Sequence, residues 1–351
     1  MFSKNEPVVV AIASPLEAHF AERITAAYPE RTRVLYRPEL MPATRFVADH
    51  GDPAFRRTPE QSVEWRAMMS EAEVTFDFAK DGTLGPRDLC PRLRWIQTTS
   101  AGVGPYARAF GLGETDVIVT TASGIHSTPL SEFTFAALLY WVKEIPRLQQ
   151  QMEDRSWKLF CAGELSGQTL AIVGPGRIGR EVARLARAFG MNVWAMARTN
   201  DPARAEKLGV DLVWAREDLQ AMLAGADAVV LAMPQTDETV GMIGAAEIAA
   251  MKRGVMLVNI ARGSVIDEVA MIDALGSGQI GFAALDVFQT EPLPQDSPLW
   301  GMPNVLINPH SASTAWRENE RLTDRFIANL GRYLDGDLDQ MTPRLDIARG
   351  Y

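Results

Sequence analysis

A short apolar strand running straight into three spaced glycines constrains this chain more than any other feature. Leu170-Ala171-Ile172-Val173 is followed at once by Gly174-Pro175-Gly176-Arg177-Ile178-Gly179. Behind the turn, Val182, Ala183 and Ala186 supply the small or apolar face of a helix packed on a strand. Strand, tight turn and helix in this order form a dinucleotide-binding βαβ unit. Gly174 permits the turn, Gly176 lets backbone amides approach a pyrophosphate, and Gly179 brings the helix close to the strand. Arg177 and Ile178 lie in the same turn, where the helix N-terminus offers N–H groups and the positive end of its dipole to phosphate.

The remainder of the chain has the same alternation of short apolar runs and helix-like segments, which argues for parallel α/β architecture. Strands are expected at Val8–Ala13, Arg33–Tyr36, Val74–Phe78, Arg94–Thr98 and Val117–Thr121. A second series follows at Leu170–Val173, Asn192–Ala197, Val210–Val213, Ala228–Ala232, Val255–Asn259, Phe282–Asp286 and Val305–Ile307. Seven strands with helices between them suit a doubly wound dinucleotide domain. Residues 37–70 read as a surface excursion followed by a helix around Pro59–Ser70. Ser131–Met152 reads as one long helical stretch that Pro146 kinks or ends. Arg155–Gly167 reads as irregular. A last helix is expected over Trp316–Leu334, with Leu322, Phe326, Leu330 and Tyr333 on one face. Packing back on the first domain would make that domain discontinuous, with residues 1–126 and 315–351 in one unit and 127–314 in the other.

At 351 residues the chain is long enough for two domains, and its net charge of −9 without basic runs disfavours nucleic-acid or anionic-membrane binding. The N-terminal run Val8–Ala13 is too short for a signal sequence or a membrane span and reads as a strand. Cys90 and Cys161 lack metal-ligand or disulfide spacing and read as packing thiols of a cytoplasmic protein, with no metal site expected.

Three later segments place polar groups just past strands, where ligands of open α/β sheets bind. They are Asn259-Ile260-Ala261-Arg262-Gly263, Asp286-Val287-Phe288-Gln289-Thr290-Glu291, and Asn308-Pro309-His310-Ser311-Ala312. An arginine, a glutamate and a histidine suit one reaction. Arg262 can bind a carboxylate and polarise an adjacent carbonyl. His310 can give a proton to the carbonyl oxygen in reduction and take it back in oxidation. Glu291 can fix the imidazole tautomer and favour its charged form. The cofactor carries the hydride. After the strand Asn192–Ala197 stands Arg198, with Thr199 beside it, where NAD-preferring domains carry an acid for the ribose 2′-hydroxyl. A guanidinium there favours the 2′-phosphate, so NADP is the expected cofactor, with NAD as the alternative.

Together these motifs, in this order and spacing, resemble the D-isomer-specific 2-hydroxyacid dehydrogenase family, above all its glyoxylate/hydroxypyruvate reductases. The resemblance covers nearly the whole chain and is strongest from Leu130 to Ala312. It implies Arg262, Glu291 and His310 as the catalytic set, and Arg262 and His310 as substrate contacts. For the cofactor it implies Asp286 and His310 near the nicotinamide, the Ile260 and Ala261 backbone close to its ring, and Met233, Pro234 and Thr236 along the adenosine half. It implies a flavodoxin-like substrate domain beside the Rossmann-like one, a homodimer, and a loop whose Ala101 and Gly102 amides bind the substrate carboxylate. Gly104 and Pro105 follow that loop where the family often has an acidic or amide residue. The expected activity is reduction of a small 2-keto acid to the D-2-hydroxy acid. The absence of an extension after residue 351 is read as disfavouring the long phosphoglycerate dehydrogenases, and Glu291 disfavours formate dehydrogenases, which carry Gln there. Phosphite oxidation is a minor enzymatic alternative, and a dinucleotide-sensing corepressor-like protein is the reading from another class.

Four other groups attract attention. His126 reads as a hinge-region structural residue, His19 and His50 as surface or helix residues. Trp157 and Phe160 read as packing residues before pocket walls, and Glu217-Asp218 as a solvated helix start.

Overall fold

A computed structural model describes residues 6–52, 54–197 and 203–350. Its contacts divide the chain into two units, residues 1–125 with 314–351, and residues 126–313. Arg198 and Thr199 lie outside the described residues.

The first unit is built on five parallel strands, β1 (Val8–Ile12), β2 (Thr32–Leu35), β3 (Val74–Phe76), β4 (Trp95–Gln97) and β5 (Ile118–Thr120). Their order is β2-β1-β3-β4-β5, the flavodoxin-like arrangement expected for this part of the chain. The strands are apolar almost end to end because helices cover both faces of a parallel sheet. One cover is the helix Glu318–Asp335, whose Leu322, Phe326, Leu330 and Tyr333 enter the core made by the N-terminal strands. Phe326 stacks on Trp95 with ring centroids 5.1 Å apart, and Tyr333 lies 5.6 Å from the same indole.

One buried amide ties this helix to the sheet. Asn329 is fully buried, and its Nδ2 donates to Gln97 Oε1 (3.1 Å) and to the Thr342 carbonyl (3.1 Å). Its Oδ1 accepts from the Thr342 amide (3.1 Å) and from Arg332 Nη1 (2.9 Å). All four bonding positions of the amide are thus used.

The second unit holds β6 (Thr169–Val173), β7 (Asn192–Met196), β8 (Leu212–Trp214), β9 (Ala228–Leu231), β10 (Val255–Asn259), β11 (Ile280–Leu285) and β12 (Val305–Ile307). All neighbours pair in parallel, in the order β12-β11-β10-β9-β6-β7-β8. The order reverses between β6 and β9, the switch point at which such sheets bind ligands. On one face the helices Ser127–Val142 and Arg177–Ala188 bury Phe135, Leu138, Val182 and Ala186 against Leu170 and Ile172. Trp141 stacks on Phe282 at 5.0 Å.

The helical stretch Ser131–Met152, expected to kink or end at Pro146, is two helices, Ser127–Val142 and Ile145–Glu153. The break falls at Glu144, at φ +54°, and Pro146 sits in the first turn of the second helix. Proline has no N–H to bond back to Val142, whose carbonyl accepts from Gly163 instead (3.0 Å).

Replacing Asn329 by alanine leaves the backbone of Thr342 without its partners inside the core. The expected result is a loss of about 2–4 kcal/mol in unfolding free energy, measured by urea titration. A loss within error of zero would remove the amide from the list of what holds this helix.

Candidate active site

Every polar segment singled out in the second unit leaves the same edge of its sheet. The glycine turn follows β6, Met233 follows β9, Ile260–Arg262 follow β10, Asp286 follows β11 and Asn308–His310 follow β12. Parallel strands make this unavoidable, since all their carboxyl ends lie together.

The turn is shaped by what a side chain would strike. Gly174 has φ +100°, and a Cβ there would stand 2.6 Å from the Met233 amide nitrogen. At Gly179 it would stand 2.5 Å from the Gly174 carbonyl oxygen, so the helix and the turn touch through backbone. At Gly176 a Cβ would meet nothing within 4 Å, and that residue caps the helix Arg177–Ala188 without any side-chain bond to its first amides. Open space above uncapped helix amides fits a pyrophosphate. Arg177 is exposed there, and Ile178 is half-buried against the core.

Past β9, Met233 is buried while Pro234 and Gln235 are exposed. The Thr236 amide donates to Thr239 Oγ1 (2.8 Å), which in turn donates to the Pro234 carbonyl (2.7 Å) and closes the loop. Past β10, Ile260 and Ala261 are buried, and Asn259 clamps the turn from within. Its Oδ1 accepts from the Ala261 amide (3.1 Å) and its Nδ2 donates to the Arg262 carbonyl (3.2 Å). Arg262 is half-buried, with Nη1 donating to the Ala261 carbonyl (2.7 Å).

Arg262 and Glu291 are joined through backbone. A Cβ on Gly263 would fall 1.9 Å from the carbonyl atoms of Phe288, so these two loops lie in direct contact. Glu268 Oε2 accepts from the Gln289 amide (3.0 Å), and Gln289 Nε2 donates to the Ile266 carbonyl (3.0 Å). Within the second loop, Glu291 Oε1 accepts from the Phe288 amide (3.0 Å). Its other oxygen, Oε2, lies 2.7 Å from His310 Nδ1. The pair is accessible, with side chains 36% and 42% exposed, and His310 holds an unusual φ of +53°.

Asp286 is the buried charge of the site, at 2% exposure. Its Oδ1 accepts from Asn308 Nδ2 (2.8 Å) and from the Ala312 amide (3.0 Å). Burial pushes its carboxyl above the usual carboxylate range, opposed by the Ala312 amide, the charge of His310 and the Asn308 amide.

In the first unit, Ala101 and Gly102 lie in the loop after β4. Thr99 Oγ1 donates to Asp77 Oδ2 (3.0 Å) and Thr98 Oγ1 to the Ser100 carbonyl (2.6 Å). Among the described residues, the Ala101 and Gly102 amides donate to no partner. The acid that anchors the loop is therefore Asp77, ahead of it in the chain, while Gly104 packs so closely on Gly350 that a Cβ would stand 2.3 Å from its carbonyl.

Several rival residues resolve differently from the sequence reading. His50 is neither helical nor on the surface. Its Nδ1 lies 3.1 Å from Ser14 Oγ and its Nε2 3.4 Å from the buried Glu318. Trp157 is not packed but 92% exposed, although its segment is tied to the preceding helix by the Lys158 amide on Gln151 Oε1 (3.0 Å). Phe160 lies under Arg147, 4.1 Å from guanidinium to ring centroid. Cys161 is exposed, whereas Cys90 is buried. His19 is exposed on the helix Ala18–Ala27, His126 directly precedes the helix Ser127–Val142, and Glu217-Asp218 is a solvated helix start. Among the described residues, no cluster of three or more His, Cys, Asp or Glu could hold a metal, and no helix is long and apolar enough to cross a membrane. The sequence reading gave Asn259, Asn308 and Glu268 no role; the signal for the two asparagines is a polar residue at a strand end, and Glu268 opens the helix Glu268–Ser277.

A model of the "D-isomer specific 2-hydroxyacid dehydrogenase, NAD binding domain" matches residues 135–312. A glyoxylate reductase of Korarchaeum cryptofilum is 34% identical over 228 residues, 63% of this chain and 68% of that protein. A D-3-phosphoglycerate dehydrogenase of Archaeoglobus fulgidus is 35% identical over 233 residues, 66% of this chain but only 42% of its own length. The chain thus aligns with less than half of that longer relative. Among solved structures, a D-isomer specific 2-hydroxyacid dehydrogenase family protein of Aeromonas salmonicida is 31% identical, with a TM-score of 0.79 over 97% of this chain and 100% of that one. A D-isomer specific 2-hydroxyacid dehydrogenase of Xanthobacter autotrophicus, solved with NADPH and MES, is 26% identical, with a TM-score of 0.75 over 99% and 100%.

Asp286 generates a stability prediction. Its folded-state pKa is raised, so the ionised carboxylate opposes folding at neutral pH and that cost fades as pH falls through the folded value. Asp286→Asn should therefore raise the melting temperature at pH 8, with the gain shrinking toward pH 4. A variant less stable than the wild type at pH 8, or a gain that grows on acidification, contradicts this.

Proposed function

Because the chain belongs to the D-isomer-specific 2-hydroxyacid dehydrogenase family, we propose that it reduces a small 2-keto acid of the glyoxylate or hydroxypyruvate type to its D-2-hydroxy acid. The observation that carries this reading is the His310–Glu291 pair at 2.7 Å, with the loop of Glu291 in backbone contact with the Arg262 segment.

The chemistry follows from these groups. A planar guanidinium at Arg262 matches a carboxylate in bidentate fashion and polarises the neighbouring carbonyl. With Nδ1 turned to Glu291, the imidazole of His310 has Nε2 left for substrate. The protonated Nε2 gives its proton to the carbonyl oxygen as the C2 carbon becomes tetrahedral, and Glu291 stabilises the imidazolium before that transfer. When bound, a nicotinamide cofactor supplies the hydride that reaches C2. The glycine turn from Gly174 to Gly179 would hold its pyrophosphate, Thr236 and the Met233–Pro234 backbone its adenosine half, and the Ile260–Ala261 backbone with Asp286 its nicotinamide. In the first unit, the undonated amides of Ala101 and Gly102 suit a carboxylate.

NADP is the cofactor we propose, from the residue types Arg198 and Thr199 after β7, with Arg198 standing where NAD-preferring domains carry an acid. A homodimer is proposed as well. Trp157 and Leu159 are 92% and 90% exposed on the second unit, an apolar surface that a second copy would cover. The two unpaired thiols suit a reducing compartment, and the cytoplasm is the location we propose.

The test is oxidation of NADPH and NADH over a panel of glyoxylate, hydroxypyruvate and larger 2-keto acids. Turnover with at least one acid is expected, with kcat/KM higher for NADPH, and His310→Ala should lower kcat by about 10²–10⁴-fold while the cofactor still binds. Tight cofactor binding without turnover of any acid would sink this reading and favour a cofactor-sensing protein. A preference for NADH would remove the role given to Arg198.

A further inference from the structure

Resting on the reading of His310 as the acid/base, we propose that Asn308 is the positioning residue that aims it. Asn308 follows β12 and uses every group it has. Its amide donates to the Leu285 carbonyl (2.9 Å), which keeps it in register with β11. Its own carbonyl accepts the His310 amide (2.9 Å), which closes the turn around Pro309. Its side-chain Nδ2 donates to Asp286 Oδ1 (2.8 Å), and its Oδ1 accepts from Ser311 Oγ (3.1 Å). The Ala312 amide reaches the same Asp286 oxygen (3.0 Å), so both feet of the loop 308–312 stand on one buried carboxylate.

This arrangement explains the backbone of His310. A non-glycine residue at φ +53° costs free energy and persists only where its surroundings impose it. Here the bonds at Asn308 on one side and at Ser311 and Ala312 on the other impose it. The imidazole is then presented to Glu291, which is itself held by the Phe288 amide. Asn308 touches neither Glu291 nor the ring among the hydrogen bonds described, so it acts through the turn and through Asp286. The charged groups on the elements around the histidine are Asp286 and Glu291 after β11, and Arg262 after β10. Asn308 is the neutral donor that lets the Asp286 carboxylate stay charged in a buried place, next to a ring that must carry a proton.

Two variants of the full chain test this. Asn308→Leu keeps the size but removes donor and acceptor, and kcat should fall about 10–100-fold, since small misplacements of a reacting group cost that much. The Kd for NADPH should remain within about two-fold of wild type. Asn308→Asp sets a second carboxyl against Asp286, where two such groups share a proton as pH falls. That proton restores the missing donor, so kcat relative to wild type should rise about ten-fold or more between pH 8.5 and pH 5.5. A ratio flat with pH, or wild-type kcat in Asn308→Leu, overturns the proposal. A readout independent of turnover is the His310 Cε1 proton followed by NMR. Its resonance should move in Asn308→Leu, because the turn that aims the ring loses its bonds to Asp286 and Ser311, and an unmoved resonance also overturns the proposal. If the wild type reduces no 2-keto acid, the proposed function fails, while this resonance still decides the role of Asn308.

Discussion

The chemistry of the second unit depends on a close backbone contact at the point where its sheet reverses direction. Gly174, leaving β6, lies against the start of the Met233 loop, leaving β9, so tightly that no side chain fits between them. That contact sets where the helix Arg177–Ala188 begins, and Gly179 brings the same helix down on the turn. The first amides of that helix and the neighbouring loops thus share one rigid edge. A bulkier residue at Gly174 would need both a strained φ and a displaced β9 exit.

The same economy of small residues recurs at Gly263. Arg262 and Glu291 are 29 positions apart, yet the loops that carry them meet backbone to backbone. The guanidinium of Arg262 and the carboxylate of Glu291 are therefore tied to each other through backbone. His310 is held differently. Its ring answers to Glu291 and its backbone to a buried carboxylate, and the positive φ is the visible consequence. Burial makes Asp286 costly to ionise, and its donors offset that cost.

Most of the sheet was legible because parallel strands buried on both faces are written as unbroken apolar runs, and Val8-Val9-Val10 and Leu170-Ala171-Ile172-Val173 are both of this kind. The glycine turn was legible because its spacing has a steric cause. Arg262, Glu291 and His310 were visible as reactive types after strands, and the roles proposed for them follow from what a cation, an acid and an imidazole can do to a 2-keto acid. What could not be read was pairing at a distance. Asn308 and Asp286 are 22 residues apart, and no local pattern says that one donates to the other. His50 looked like a surface residue because its partners, Ser14 and Glu318, come from opposite ends of the chain. The interruption expected at Pro146 in the stretch Ser131–Met152 is present and falls at Glu144, but no local pattern signals that Gly163 would take the Val142 carbonyl released by the missing N–H of Pro146. Trp157 read as a packing residue from its type alone, and exposure depends on what lies beside it in space.

The central claim is that this edge brings hydride to the carbon next to a carboxylate while His310 delivers a proton to oxygen. Isotope tracing separates the two transfers. NADPH stereospecifically deuterated at C4 is incubated with glyoxylate or hydroxypyruvate in ordinary water, and the product is analysed by NMR and mass spectrometry. Deuterium at C2 of the 2-hydroxy acid from one C4 position, and none when the same reaction is run with unlabelled cofactor in D2O, is the predicted result. A product whose C2 hydrogen comes from solvent would contradict it.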